Sequence, residues 1–399
     1  GEIYNFQELR HELEQKGHRF KTSSDTEAIV HLYEEYGTAC VKKLRGMFAF
    51  AIWDKPRRRL MLARDRLGIK PLYYSLANDR LLFGSELKSL LAAGLDTTLD
   101  PQALHDYLSL TYVPAPATIF RAARKLLPGT MLVAENGAVK MERYWELNLD
   151  VRTPLRSEAE YVEAVREKVD DAVRSHLVAD VPLGVFLSGG VDSASVVACM
   201  RQFHTGPLKT FSIGFAEKSF SELDRAREIA RHFGTDHHEL IVTPDTAAML
   251  PELVRSFDEP FADSSAIPVL CVARLARQHV TVALSGEGGD EVFAGYQTYA
   301  ATKLAGWYRR AVPAAARRII ARLVARLPVS HRKVSFEYKA KRFVAGASLQ
   351  ATEAHLSWKA IFNEEAKRTL YGEARPGLRP TARLYRDAAA TVPSREFLS

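Results

Sequence analysis

The chain has 399 residues, 47% of them hydrophobic and 26% charged, and no apolar run approaches the roughly 20 residues that a membrane-spanning helix requires. Its formal net charge of +7 is concentrated between Lys303 and Arg342, where twelve lysines and arginines face one acid, Glu337. Three widely spaced cysteines, Cys40, Cys199 and Cys271, exclude a disulfide scaffold and a metal or redox pair, and point to a reducing cytoplasm.

Phe6–Lys16 and Thr26–Tyr36 read as helices, the second capped by Ser24 or Asp25. Met47–Trp53 reads as a strand that turns at Asp54-Lys55-Pro56 and returns as Arg59–Asp65. Leu72–Ser75 and Arg80–Gly84 repeat that arrangement around Asn78-Asp79. Strands with two helices predict a layered α+β domain over 1–147, ending near Tyr144-Trp145. Residues 148–157, with Pro154 and mixed charge, read as a linker.

From 158 to 399 the pattern becomes an alternation of helix and strand. Helix Glu160–Leu177 precedes strand Val181–Leu187; a helix to Phe203 precedes strand Leu208–Ile213; helix Glu222–Phe233 precedes strand His238–Val242. Helices Ala247–Ser256 and Ile267–Gln278 then lead to strand Val280–Leu284. This alternation predicts an α/β doubly wound parallel sheet with helices on both faces, whose ligands sit beyond the carboxyl ends of the strands. Residues from Lys303 onward read as extra C-terminal helices. There Ile319, Ile320, Leu323, Val324 and Leu327 fall at helical spacing between arginines, the pattern of a solvated amphipathic helix.

Two loops at strand ends carry the chemistry. The first is Leu187-Ser188-Gly189-Gly190-Val191-Asp192-Ser193, between a buried strand and a helix. Glycines let backbone N–H groups turn inward, hydroxyls add donors, and the helix start adds partial positive charge, which together make an anion cradle. It lacks the Gly-Lys-Ser/Thr ending of the common mononucleotide loop. The second is Ser285-Gly286-Glu287-Gly288-Gly289-Asp290-Glu291, where three acids share a turn with three glycines. Carboxylates beside a phosphate loop suit Mg²⁺, a hard cation, and one of them can accept a proton from an attacking amine.

The motif Ser-Gly-Gly-x-Asp-Ser resembles the pyrophosphate loop of enzymes that split ATP into AMP and pyrophosphate. Together the two loops resemble those of the synthetase domain of the glutamine-hydrolysing asparagine synthetases. The first domain resembles that family's class II glutaminase domain through Gly1-Glu2-Ile3-Tyr4-Asn5, Ser24-Asp25-Thr26-Glu27, Arg45-Gly46-Met47-Phe48-Ala49 and the run Arg64–Tyr74. The resemblance implies that glutamine is hydrolysed in the first domain and that its ammonia reaches the second through a tunnel. There ATP adenylates a carboxylate, aspartate in the family, and ammonia displaces AMP. It implies glutamine binding by Gly1, Glu2 and Asp25, and ATP binding by Leu187, Ser188, Gly189, Gly190, Asp192, Ser193, Ile213, Gly214, Ser285 and Gly286. Glu287 matches the acid tied to adenylate formation and ammonia deprotonation, and Asp192 and Asp290 match Mg²⁺ ligands. The partners are then small molecules, with neither nucleic acid nor membrane, and a homodimer is compatible with this.

The resemblance also implies departures. The family's nucleophile is the mature N-terminal cysteine, and position 1 here is a glycine that corresponds to a place inside the domain. The family's Lys-Val-Asp stretch and a pyrophosphate-binding lysine would follow Ser399, where Arg395–Ser399 reads as a helix start. The expectation is a fragment lacking both termini, unable as it stands to hydrolyse glutamine. All three cysteines are expected to be small buried hydrophobes. The segment Asp258–Pro268 falls where the family recognises its carboxylate, yet holds no arginine or lysine to clamp aspartate, and Arg274 lies two helical turns on. Amidation of another carboxylate, on a saccharide or a secondary metabolite, is therefore the alternative. An RNA-modifying enzyme would need a tRNA-binding domain or sulfur-carrying cysteines, and neither is visible. A non-catalytic relative conflicts with the intact Asp192, Glu287 and Asp290.

Overall fold

The computed structural model describes residues 1–77, 79–148, 157–217, 221–243, 246–329, 335–372 and 377–390. Asn78, most of the expected linker, Arg332, Lys333 and the expected helix start at Arg395–Ser399 lie outside the described residues. The chain divides into two compact units. The first comprises Gly1–Leu104, Val113–Thr153 and Phe257–Pro260; the second comprises His105–Tyr112, Pro154–Ser256 and Phe261–Ser399.

The first unit contains β1 (Glu2–Ile3), α1 (Phe6–Gln15), α2 (Asp25–Tyr36), β2 (Gly46–Met47), β3 (Ala49–Asp54), β4 (Arg59–Arg64), β5 (Tyr73–Ala77) and β6 (Arg80–Gly84). Then come α3 (Leu87–Ala92), α4 (Pro101–Leu110), of which only Pro101–Leu104 belongs to this unit, β7 (Arg124–Lys125), β8 (Thr130–Glu135) and β9 (Ala138–Arg143). Ser24 caps α2, its hydroxyl accepting the Thr26 N–H. The main sheet is antiparallel in the order β3-β4-β8-β9, and a second runs β6-β5-β7. Side chains alternate across β4. Met61 and Ala63 join Leu9, Leu13 and Leu32 of the two helices, while Leu62 joins Leu72, Tyr74 and Leu126. The main sheet is thus covered by helices on one face and by the second sheet on the other, which is why Leu60–Ala63 is continuously apolar.

The stretch after β4 turns on one buried carboxylate. Asp65 accepts the N–H groups of Phe48, Leu67, Ile69 and Lys70 at 3.2, 3.1, 2.9 and 2.9 Å. Beside it the Arg64 guanidinium donates to the carbonyls of Gly68, Lys70 and Leu126 at 2.8, 2.7 and 2.6 Å. These two side chains take up the backbone polar groups of a loop that no sheet pairs.

The second unit contains α5 (Glu158–His176), β10 (Leu183–Phe186), α6 (Val191–Phe203), β11 (Lys209–Phe215), α7 (Leu223–Phe233), β12 (Asp236–Val242), α8 (Thr246–Phe257), α9 (Ala266–Arg277) and β13 (Val282–Leu284). After them come α10 (Gly289–Val292), α11 (Gln297–Ala311), α12 (Ala314–Ala325), α13 (Phe336–Ala347), α14 (Ala351–Lys359), α15 (Glu364–Tyr371) and α16 (Ala382–Ala390). Ser157 and Glu160 form a reciprocal capping box at the start of α5. The four strands are parallel in the order β12-β11-β10-β13. Helices α5, α6 and α7 cover one face through Val173, Val197, Met200, Ala226 and Ala230. Helix α9 covers the other with Val272 and Ala276 against Phe211. The chain steps outward from β10 to β12 and returns to the opposite side of β10 with β13, so the topological switch lies between β10 and β13.

Among the described residues no helix is long and apolar enough to cross a membrane. All three cysteines are buried, and burial pushes the Cys199 thiol up to about 11. On α12, Ile320 and Val324 are half-buried while Ile319 and Leu323 face outward. Several cations of the basic stretch bind carbonyls: Arg309 that of Leu349 at 2.9 Å, and Lys341 that of Leu327 at 2.9 Å.

A buried polar cluster ties α15 into the second unit. The Lys367 ammonium, fully enclosed, donates to Glu364 at 2.8 Å, to Nε2 of His105 at 3.0 Å and to Thr381 at 3.0 Å. Asp106 holds Arg383 alongside, and Tyr371 stacks on His105. Burial, then the Lys367 charge, lowers the His105 pKa below 6.5. Against its burial, the Lys367 hydrogen bond keeps Glu364 low. The unfolded chain takes up a proton near 6.5 where folded His105 does not. Stability therefore falls as pH drops through that value, by at most about 1.4 kcal/mol per pH unit per histidine. Amide hydrogen exchange in α15 should accelerate between about pH 7.5 and 5.5 beyond its intrinsic pH dependence, and His105→Gln should flatten that trend. Unchanged protection across the range would contradict this account.

Candidate active site

The cleft of the second unit opens beyond the carboxyl ends of β10 and β13, at the switch. Its volume is about 820 Å³. Of the expected residues, Leu187, Ser188, Asp192, Ser193, Ile213, Ser285, Gly286, Glu287 and Asp290 line it. Gly189, Gly190 and Gly214 are not among its lining residues, and Gly189 and Gly214 are tightly packed. A Cβ at Gly189 would come within 2.8 Å of Arg225 Cβ, and one at Gly214 within 2.3 Å of Leu223 Cδ1. These glycines let α7 close over the strand ends.

The first loop is knotted by its own hydroxyls. Ser193 Oγ accepts the Ser188 N–H at 3.0 Å and lies 2.9 Å from Ser188 Oγ, which in turn accepts the Gly190 N–H at 3.2 Å. Ser212 on β11 donates to the Leu187 carbonyl. Gly190 is the N-cap of α6, so the first N–H groups of that helix have no partner within it.

The second loop lies directly on that helix start. A Cβ at Gly286 would stand 2.7 Å from the Ser193 nitrogen and 2.8 Å from the Asp192 carbonyl carbon. A Cβ at Gly289 would stand 2.8 Å from Asp192 Oδ2. At Gly286, where the neighbours are backbone atoms, only hydrogen lets the two loops share one wall, whereas at Gly289 the Asp192 side chain can yield. The Gly286→Val variant is therefore expected to push them apart and weaken nucleotide binding about tenfold or more, since overpacking costs about 1–3 kcal/mol. Titration with a fluorescent ATP analogue checks this, and parental affinity would contradict it.

Carboxylates of Asp192, Glu222, Glu287, Asp290 and Glu291 line the cleft, and no lysine or arginine does among the described residues. A hydrogen bond from Tyr296, 2.6 Å away, holds Glu291 low and raises the phenol to about 12. Glu222, Phe215, Val269 and Tyr296 were absent from the sequence-based set. Phe215 is the last residue of β11 and Glu222 the cap of the helix that follows it, so the strand-end rule itself points to them.

The segment Asp258–Pro268 is divided. Asp258 pairs with Lys88 at 3.2 Å, and Glu259 pairs with Lys125 at 2.7 Å and accepts the Ile119 N–H, all in the first unit. Only Pro268 reaches the cleft wall, followed by Val269. Arg274 is held by Glu252. In the first unit, Asp25 Oδ2 accepts the Ile3 N–H at 2.8 Å, which brings Asp25 to β1 beside Glu2. Glu2 pairs with Met47, and a Cβ at Gly1 would stand 2.7 Å from the Met47 carbonyl oxygen. Burial, with Glu2 and Asp65, raises the neighbouring Tyr4 phenol to about 12.

Residues 164–394 match the asparagine synthase family model, and residues 1–145 match the glutamine amidotransferase domain model. Asparagine synthetase [glutamine-hydrolyzing] 1 of Bacillus subtilis is 39% identical over 394 residues, which cover 98% of this chain and 60% of that protein. Asparagine synthetase [glutamine-hydrolyzing] 3 of the same organism is 36% identical, covering 74% of this chain and 51% of its own length. The amidase chyE of Penicillium rubens is 34% identical over 76% of this chain and 48% of its own. The chain thus spans about half to three-fifths of these relatives.

Proposed function

Because the chain belongs to the glutamine-hydrolysing asparagine synthetase family, we propose that it serves ATP-dependent amidation of aspartate to asparagine in the cytoplasm, with glutamine as the nitrogen source. In this reading a carboxylate oxygen of aspartate attacks the α-phosphorus of ATP, and pyrophosphate leaves from the cradle of Ser188–Ser193. Ammonia derived from glutamine, which Gly1, Glu2 and Asp25 would hold, then attacks the acyl carbon. The acyl–oxygen bond breaks, AMP leaves with the electron pair, and Glu287 takes the proton shed by nitrogen. Adenylation matters because a free carboxylate resists an amine, whereas AMP is a good leaving group. Domain limits of 1–147 and 158–399 around a linker fit the same reading.

The donor set fits Mg²⁺. A polyphosphate entering a wall of carboxylates without a cation is repelled, and the Asp192 and Asp290 oxygens are hard ligands in that wall. Asp192 and Asp290 would hold the ion, which when bound offsets the charge of the phosphate oxygens.

The observation that carries the proposal is the backbone contact of Gly286 with Ser193, which joins the phosphate cradle and the acidic loop in one cleft. ATP–pyrophosphate exchange across a panel of carboxylates tests it. Exchange that depends on aspartate supports the reading, and exchange driven only by a different acid overturns the substrate. One finding favours that second outcome: Arg274 is engaged by Glu252, and no cation in the described wall faces an aspartate α-carboxylate. An enzyme that amidates another carboxylate by the same adenylation chemistry is therefore the second reading.

A further inference from the structure

Far along the chain from the second-unit cleft, three side chains of the first unit converge on a single point. His18 lies on the turn after α1, and His31 and Glu34 lie one turn apart on α2. Nδ1 of His18 and Nδ1 of His31 are 3.2 Å apart. Glu34 Oε2 is 3.1 Å from Nδ1 of His31 and 3.6 Å from Nδ1 of His18. A tetrahedral zinc ion bonded to imidazole nitrogen and carboxylate oxygen at about 2.0–2.2 Å holds its donor atoms about 3.3–3.6 Å apart. The three separations, 3.1, 3.2 and 3.6 Å, lie close to those of one face of such a tetrahedron.

The far side of each ring carries a second observation. Nε2 of His18 faces Glu35 at 3.5 Å, and Nε2 of His31 faces Glu27 at 3.6 Å. Both imidazoles thus turn Nδ1 to the common point and Nε2 to a carboxylate, the orientation by which an outer carboxylate fixes the tautomer of a metal-bound histidine. The outer acids are themselves anchored. Glu27 accepts from the Thr22 hydroxyl and from the N–H groups of Lys21 and Thr22, and is held down at about 2. Glu35 is held by Lys16 at 2.8 Å. Phe20 packs on the His31 ring with centroids 4.5 Å apart. The histidine side chains are 16% exposed and Glu34 is 57% exposed, so the fourth side of the tetrahedron is open to water.

We propose that His18, His31 and Glu34 bind a zinc-class divalent cation. Two imidazoles with one carboxylate suit zinc and its neighbours and disfavour Mg²⁺ and Ca²⁺. The role is a clip: an ion here would staple the turn after α1 to the middle of α2.

Zn²⁺ titrated into the full chain against a chromophoric chelator should bind one ion per chain at this site. Co²⁺ in its place should give the intense visible absorption of tetrahedral coordination. His31→Gln should lose this binding and the cobalt spectrum. Glu34→Gln should weaken binding while leaving the fold intact, because Glu34 is exposed. Glu35→Gln, which changes the outer partner of His18 together with its ion pair to Lys16, should weaken it about tenfold to a hundredfold, whereas Lys16→Met, which removes the ion pair alone, should not. An octahedral cobalt spectrum, or zinc affinity unchanged in both His31→Gln and Glu34→Gln, would overturn the proposal.

Discussion

The Glu287→Gln variant is expected to form amide at least about a hundredfold more slowly while binding ATP as tightly as the parent. Glu287 stands in the cleft wall between Gly286, which rests on the α6 backbone, and Gly288, whose φ of 94° starts a new turn. That position presents the carboxylate from a loop fixed at both sides. Glutamine keeps its size and its hydrogen-bonding reach but cannot accept the proton that ammonia sheds on attack. Proton transfer by a placed side chain is worth about 10²–10⁴ in rate. The loss should therefore appear in kcat, with KM for ATP little changed. Rapid-quench measurement of amide and AMP separates the steps. Full amidation by this variant would remove Glu287 from its assigned role. Asp290→Asn serves as the contrast: it should shift the Mg²⁺ dependence as well as the rate.

The second large effect is on folding. The Asp65→Ala variant is expected to lose about 4 kcal/mol of stability in the first unit. It strands the N–H groups of buried Phe48 and half-buried Lys70, each costing about 1–3 kcal/mol when left without an acceptor, and those of exposed Leu67 and Ile69, which cost less. Part of that is recovered by water entering the emptied space. For a unit of this size the transition should move down by about 10 °C. Asp65→Asn should be nearly as damaging, because its NH₂ group would face N–H donors where a carboxylate oxygen now accepts. Calorimetry reads both, and a shift below about 2 °C would show that the loop holds itself by other means.

Asp65 also shows where reading the residues stopped short. The run Arg64–Tyr74 stands out as a family signature, yet two of its charged side chains, Arg64 and Asp65, are spent mainly on backbone groups of one loop. Only the folded chain reveals that assignment. The helices and strands around the two loops were legible because each has a clear period: alternation on the half-buried strands, a short apolar run on β10, small residues at the turn into α6. Strands β8 and β9 were missed although Asn136-Gly137, both at positive φ, joins them in a two-residue hairpin. The outer strand Ala138–Arg143 is mostly exposed and polar, so periodicity was silent and only the turn spoke. The Lys367 cluster was illegible for another reason. It joins His105 and Asp106 to α15 and Thr381 across more than 250 residues of sequence, and no local pattern marks a lysine as buried. Nothing in the sequence marks that Gly189 and Gly214, expected at the phosphates and at the adenine, also lie tight against Arg225 and Leu223 of α7.

The strand order has an evolutionary consequence. Both loops of the cleft hang from adjacent strands, the inner β10 and the edge strand β13, while α8 and α9 belong to the connection that runs from β12 at the other edge back to β13. Insertions or sequence drift in α8 and α9 can remodel what the cleft admits without disturbing the Gly286–Ser193 contact. The layout separates a fixed engine from an exchangeable intake. A lineage built this way can change its acceptor and keep its fuel.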